Sequence, residues 1–196
     1  TSCAQTGKYN NKIKIQALPD FTLDGSMDEW LEIPERKLYA DPFGNYPEKE
    51  DLTASFKLAW KDNNLLFLFR IKDDAFFSDT LMPWKGDAVE IFLTEFRGSD
   101  NIIQYSVVTG SSDSIICRIN DYRKSLTKTR APSLNGFSNR KENEIILELS
   151  LDMSVFGFYS GEDEFALQVY VDDSDAINDK YRNQLTWYPL GHSYIN

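Results

Sequence analysis

Trp84-Lys85-Gly86-Asp87-Ala88-Val89-Glu90-Ile91-Phe92-Leu93 is the stretch that decides how this chain is read. Pro83 and Gly86 mark a turn. From Asp87 the residues alternate, with Val89, Ile91 and Leu93 on one side and Ala88, Glu90, Phe92 and Thr94 on the other. Successive side chains of a strand point to opposite faces. Residues 87–95 are therefore expected to form a strand with an aliphatic face turned inward and a second face carrying the Glu90 carboxylate. Trp84 stands at the entrance to that second face. An indole beside a carboxylate suits a sugar, because the C–H face of a pyranose stacks on the ring and its hydroxyls donate to carboxylate oxygens. The plainer reading of the same residues is a tryptophan at the edge of the core and a solvated glutamate.

The same period of two recurs on both sides of this stretch. Leu52, Ala54, Phe56, Leu58 and Trp60 share one phase, which predicts a buried Trp60. Asp62-Asn63-Asn64 reads as a hairpin turn, and Leu65, Phe67, Phe69 and Ile71 return in phase. Downstream, residues 102–108 and 114–120 read as strands, with Arg118 out of phase with Ile115, Cys117 and Ile119. Ile145, Leu147, Leu149 and Leu151 alternate, as do Phe165, Leu167, Val169 and Val171. Upstream, residues 12–17 predict a first strand with Ile13, Ile15 and Ala17 on one face. Ser26 is placed to cap a short helical turn holding Trp30 and Leu31, which Pro34 ends. A second helical turn over residues 152–157 closes at Gly157. Residues 41–51 read as a polar loop and residues 121–142 as a long polar excursion. Many short alternating strands and almost no helical period predict an all-β sandwich, with one domain over residues 12–196 behind a flexible tether at 1–11.

The chain of 196 residues is 41% hydrophobic and 14% aromatic, a globular composition. Its 31 acidic residues against 21 basic give a net charge of −10. That argues against nucleic acid and anionic membrane surfaces, which require basic patches. It suits calcium and neutral ligands. The run Leu65-Leu66-Phe67-Leu68-Phe69 is far too short for a membrane-spanning helix. Of the two cysteines, Cys117 alternates with Ile115 and Ile119 and reads as a small buried apolar residue. Ser2-Cys3-Ala4-Gln5 looks like the junction of a bacterial lipoprotein signal. The expectation is an exported protein, held at the cell envelope by a lipid on Cys3 or secreted, with no other membrane contact.

Acidic residues gather where two strands end, at Asp73-Asp74 and at Asp172-Asp173-Ser174-Asp175. Calcium takes about six to eight oxygens, which aspartates and loop carbonyls supply. Asp73, Asp74, Asp172, Asp173 and Asp175 are therefore candidate ligands of a structural calcium. The alternative is a pair of solvated acidic turns.

Five motifs then fall in order. They are Asp24-Gly25-Ser26-Met27-Asp28-Glu29-Trp30, Ala59-Trp60-Lys61-Asp62-Asn63-Asn64-Leu65, Ile71-Lys72-Asp73-Asp74, the stretch from Trp84 to Phe92, and Thr186-Trp187-Tyr188-Pro189. Together they resemble the family 9 carbohydrate-binding modules, part of a wider group of DOMON-like sandwiches. The resemblance implies an immunoglobulin-like antiparallel β-sandwich with structural metal sites, usually calcium. It also implies an oligo- or polysaccharide held between two tryptophans, which match Trp84 and Trp187. The family's carboxylate matches Glu90, and its amide falls at Asn183 or Gln184. Gln104 and Arg118 are candidates from neighbouring strands.

The reading that follows is a monomeric, non-catalytic sugar-binding module. Its rival is an interaction or scaffold domain of a surface lipoprotein that binds no sugar. Haem would need an axial His or Met, and His192, Met27, Met82 and Met153 stand in terminal, capping or loop positions. A glycosidase would need a carboxylate pair, which no flanking residues single out.

Overall fold

The structure is a computed structural model and describes residues 12–41, 51–109, 115–122, 133–156, 164–176 and 183–188. Cys3 and the tether, most of the polar loop at 41–51, Gly157 and His192 lie outside the described residues.

Among the described residues eleven strands run in chain order: β1 (Gln16–Ala17), β2 (Arg36–Lys37), β3 (Leu52–Lys61), β4 (Asn64–Asp73), β5 (Ala88–Thr94), β6 (Ile103–Val108), β7 (Ile116–Asp121), β8 (Leu134–Lys141), β9 (Glu144–Asp152), β10 (Ala166–Asp173) and β11 (Asn183–Thr186). They form two sheets. The first has the order β1-β3-β4-β9-β8 with β2 on β3, and the second β11-β10-β5-β6-β7. Every pairing is antiparallel except that of the two-residue β1 with β3. This is the expected all-β sandwich.

The period of two explains the core. Phe56, Leu58, Phe67, Phe69, Leu147 and Leu149 of the first sheet meet Val89, Ile91, Leu93, Tyr105 and Val169 of the second in one buried cluster. The segment just after β2 stitches the sheets along one side. Leu38 N–H donates to Ala54 O of β3, while Thr186 N–H of β11 donates to Ala40 O at 2.8 Å.

The outer face of the first sheet is also covered. Ala59, Leu66, Leu68 and Ile146 pack under Leu18, Trp30 and Ile33 in a second buried cluster. That is why β4 reads as a continuous apolar run instead of an alternating one. Trp30 ends a 3-10 turn, Asp28–Trp30, and is fully buried. Ser26 Oγ accepts the Asp28 N–H at 3.2 Å, although Met27 occupies the cap position itself. Glu148 points outward from β9 into this layer and is fully buried. Its Oε1 accepts the Trp30 indole N–H at 2.7 Å, and its Oε2 accepts the Asp24 and Gly25 N–H groups at 3.0 and 2.6 Å. Burial raises the Glu148 carboxyl above the usual range, and these three donors oppose the rise.

Three expectations are corrected. The first strand is two residues long, because only Gln16–Ala17 reaches the β3 edge. Trp60 keeps the core phase opposite Leu65 but stays half-buried. It is the penultimate residue of β3, where the chain leaves the sandwich for the Asp62-Asn63 turn. The excursion at 121–142 contains β8, which forms an eight-residue hairpin partner for β9. Its inward side holds Gly136, where a Cβ would lie 2.7 Å from Ile115 Cδ1 and Leu149 Cδ2. β9 and the β7 end of the chain close onto β8 because that side chain is absent.

Candidate functional site

The outer face of the second sheet carries the polar residues singled out around Trp84. Val89, Ile91 and Leu93 are fully buried toward the core, so Glu90 points the other way, 5% exposed. Register fixes its neighbours. Glu90 lies opposite Tyr170 of β10 on one side and Ser106 of β6 on the other, and Ser106 lies opposite Arg118 of β7. Glu90 Oε1 accepts from Gln104 Nε2 at 2.6 Å and from Ser106 Oγ at 3.2 Å. Gln104 Oε1 in turn accepts from Asn120 Nδ2 and the Tyr122 hydroxyl at 3.2 and 3.4 Å. Phe92, next outward along β5, packs on Tyr170 with ring centroids 5.1 Å apart. Glu90, Gln104 and Arg118 are thus brought to one face. Ser106, Asn120, Tyr122, Phe92 and Tyr170 join them. The alternation that singled out Glu90 contains Phe92, whereas the others stand on neighbouring strands and only pairing across strands selects them.

Trp84 sits in the 3-10 turn Pro83–Lys85 that leads into β5 and is 38% exposed. Lys85 N–H donates to Met82 O and Gly86 N–H to Pro83 O, which closes the turn. Arg118 reaches the same loop, donating from Nε to Thr80 O at 3.1 Å.

Trp187 has a different setting. Its N–H donates to Val169 O, which extends the β10–β11 ladder by one residue. It therefore shares the phase of Leu185, which faces the core. The ring packs edge-on against Phe56 at 5.1 Å and against Tyr188 at 4.6 Å, half-buried. Trp187 thus falls in the core periodicity, its phase set by the register with β10. Both amides are held by carboxylates, Gln184 on the outer face of the second sheet and Asn183 at the end of the sandwich. Gln184 Nε2 donates to Asp172 Oδ1, and Asn183 Nδ2 donates to Asp51 Oδ2 and, at 3.3 Å, to Asp173 Oδ2.

Asn183 thus belongs to a carboxylate cluster at one end of the sandwich. Carboxylate oxygens of Asp73, Asp173 and Asp175 lie within 4.8 Å of one another, and so do those of Asp51, Asp74 and Asp175. Asp73 ends β4 of the first sheet and Asp173 ends β10 of the second. Both are 2% exposed. Burial, reinforced by neighbouring aspartates, pushes each up to about 7. Asp87, equally buried, is pushed up to about 8 by burial and by the Asp73 charge. Asp172 does not join the cluster: one residue before Asp173, it falls on the opposite face of β10 and meets Gln184. Asp51 and Asp87 were not singled out in the sequence, because nothing local marks them as neighbours of the two acidic strand ends.

The donor set fits a hard cation. Its oxygens converge at a spacing a calcium-sized ion can bridge. Among the described residues Asp173 Oδ1 is buried with no hydrogen-bond partner, and burying an ionised carboxylate without compensation is strongly unfavourable. Asp73, Asp173 and Asp175 would hold the ion, which would offset their mutual repulsion.

A family model described as "Carbohydrate family 9 binding domain-like" matches residues 23–194. A family 9 module from Caldicellulosiruptor kristjanssonii in complex with cellotriose superposes with a TM-score of 0.63 at 16% identity, covering 89% of this chain and 83% of that one. A glucose complex of a family 9 module from the same organism gives a TM-score of 0.63 at 16% identity, with 89% and 85% covered. At that identity the likeness shows the fold. Among curated proteins, 74 residues are 34% identical to endo-1,4-beta-xylanase A of Thermotoga maritima, which is 37% of this chain and 7% of that enzyme.

Proposed function

The chain belongs to the carbohydrate family 9 binding domain-like family, and on that premise we propose that it is a non-catalytic carbohydrate-binding module. The observation that carries the proposal is the outer face of the second sheet, where Glu90, Gln104 and Arg118 gather and Arg118 holds Thr80 O of the loop that leads to an exposed Trp84. A carboxylate, a carboxamide and a guanidinium offer acceptors and donors to sugar hydroxyls, and the indole offers a plate for the apolar ring face. Solved relatives of this fold hold cellotriose and glucose, so glucose units linked as in cellotriose are the first ligands to test.

In its finer form the proposal places the sugar between Trp84 and Trp187. The exposure of Trp84 supports the first plate. Trp187, in the core phase and packed on Phe56 and Tyr188, lies across the sheet from Glu90, so the second plate rests on the family resemblance and Trp84 is the plate that serves the outer face. Asn183 and Gln184 are then supports for the acidic residues they touch. We propose further that the cluster of Asp73, Asp173 and Asp175 holds a structural cation, calcium by its all-oxygen donors. The ion would supply charge neutralisation and no chemistry.

Isothermal titration with glucose, cellotriose and xylotriose tests the reading. Binding of one of them, weakened about tenfold or more (about 1.4 kcal/mol) in Trp84→Ala at unchanged melting temperature, is the expected result. Absence of binding to all three and to a wider glycan panel would leave the scaffold reading in its place.

A further inference from the structure

We propose that Asp87 is a positioning residue that couples the carboxylate cluster to the turn carrying Trp84, so that a divalent cation in the cluster sets the orientation of that indole. The proposal rests on the sugar and cation readings above.

The coupling is visible in the backbone contacts of Asp87. Its Oδ1 accepts the Ser174 N–H at 3.1 Å, and Ser174 lies between Asp173 and Asp175. Its Oδ2 accepts the Phe77 N–H at 2.6 Å, while its own N–H donates to Phe77 O at 2.7 Å. Phe77 follows the Asp73-Asp74 strand end by a few residues, so one buried carboxylate joins both acidic segments to the start of β5. Its carbonyl accepts the Thr109 N–H at 3.0 Å, which ties the same point to the end of β6.

The loop between Asp74 and Asp87 has little freedom to absorb a movement. At Gly86 a Cβ would lie 2.6 Å from Phe77 O and 2.7 Å from Asp79 N, so the two ends of the loop are pressed together. Asp79 Oδ1 accepts the Leu81 and Met82 N–H groups at 2.9 and 2.8 Å, which fixes the approach to Trp84. Arg118, on the sugar face, holds Thr80 O of the same loop. The cluster itself has a reason to move when a cation arrives. Among the described residues Asp173 Oδ1 is buried without a partner, and Asp173 lies in the group with Asp73 and Asp175. Drawing these oxygens onto one ion shifts the segment 173–175, and the Ser174–Asp87–Phe77 connection passes that shift to the Trp84 turn.

The test uses the full chain labelled with 5-fluorotryptophan, the Trp84 resonance being identified by its loss in Trp84→Phe. Calcium chloride is added to chelator-treated protein, with and without cellotriose. The expected result has three parts. The Trp84 resonance shifts, hydrogen exchange at the Phe77 and Ser174 amides slows, and the cellotriose Kd falls about fivefold or more, within the usual range of coupling between sites. In Asp87→Asn, whose amide group can accept from only one of the two N–H groups, the Trp84 resonance stops responding to calcium. Calcium binding seen by calorimetry with an unmoved Trp84 resonance and unchanged amide exchange would overturn the coupling while leaving both sites standing. No calcium binding would overturn it together with the cation reading. Failure of cellotriose to bind while Trp84 still responds would overturn the sugar reading alone and uphold the coupling. If Asp87→Asn does not fold, the amide-exchange arm on the parent protein decides.

Discussion

Trp30 and Glu148 meet at 2.7 Å, indole N–H to carboxylate oxygen, and neither side chain is exposed to solvent. The contact anchors the segment from Asp24 to Trp30 over the first sheet, helped by Lys57 Nζ donating to Trp30 O at 2.7 Å. Trp30→Phe keeps much of the ring and removes the donor. A buried oxygen of a charged group then loses its partner, so the variant should be less stable by about 1.5–3 kcal/mol. Urea unfolding of the two proteins measures this; equal midpoints would show that the bond contributes nothing.

Glu148 should also leave a signature in pH. Burial holds its folded-state carboxyl above the ordinary value. A carboxyl raised in this way favours the fold when protonated. Its contribution is complete below the unfolded glutamate value of about 4.3 and is lost as pH rises through the folded value. The parent protein minus Glu148→Gln difference in stability should therefore shrink as pH climbs from about 4. A difference that grows with pH would mean that the three N–H donors outweigh burial.

Gly136→Ala tests the close approach beneath β8. Alanine ordinarily helps a strand relative to glycine by about 0.5–1 kcal/mol. Here its methyl would meet Leu149, fully buried, and two carbon atoms of Ile115 inside 3 Å. Overpacking of about 1–3 kcal/mol should win, and the melting temperature should fall. A stabilised variant would show that Ile115 moves aside freely.

Cation removal has a definite expectation. An ion that binds only the folded state stabilises it by about 2.7 kcal/mol at a hundredfold excess over its Kd. Chelation should lower the melting temperature of the parent protein and leave Asp173→Asn less affected. A melting temperature indifferent to chelator, with no ion found by elemental analysis, removes the cation from the description.

Cys117 should be chemically quiet. The structure leaves Cys117 half-buried where the sequence predicts a buried residue, and that partial burial pushes its thiol up to about 12, so little thiolate exists near neutral pH. In Cys3→Ala, a disulfide reagent should label Cys117 slowly in buffer and rapidly in urea. Prompt labelling of the native protein would contradict the burial.

Strands were legible where one face is consistently apolar. β5 and β9 announced themselves through Val89-Ile91-Leu93 and Ile145-Leu147-Leu149. β8 was hidden because its inward positions include Gly136, Ser138 and Arg140, the last placed over the Phe76 ring at 3.9 Å. No hydrophobic period marks such an edge strand. On the outer face of the second sheet, alternation alone separated Glu90 from the core, whereas the phase of Trp187 depends on its register against Val169, which is a long-range fact. The same limit applies to the acidic residues. Consecutive aspartates looked equivalent in the sequence, but the strand sends Asp172 and Asp173 to opposite faces.

The carboxylate cluster also has a consequence for the order of folding events. Asp73 and Asp173 come from different sheets and from distant parts of the chain, so the site exists only after the sandwich has closed. Contacts that form after the transition state act on the unfolding rate and not on the folding rate. A cation there would leave refolding as slow as long-range strand pairing makes it, and would lengthen the lifetime of the closed sandwich. In kinetic terms such an ion would be a latch, engaged last and released first.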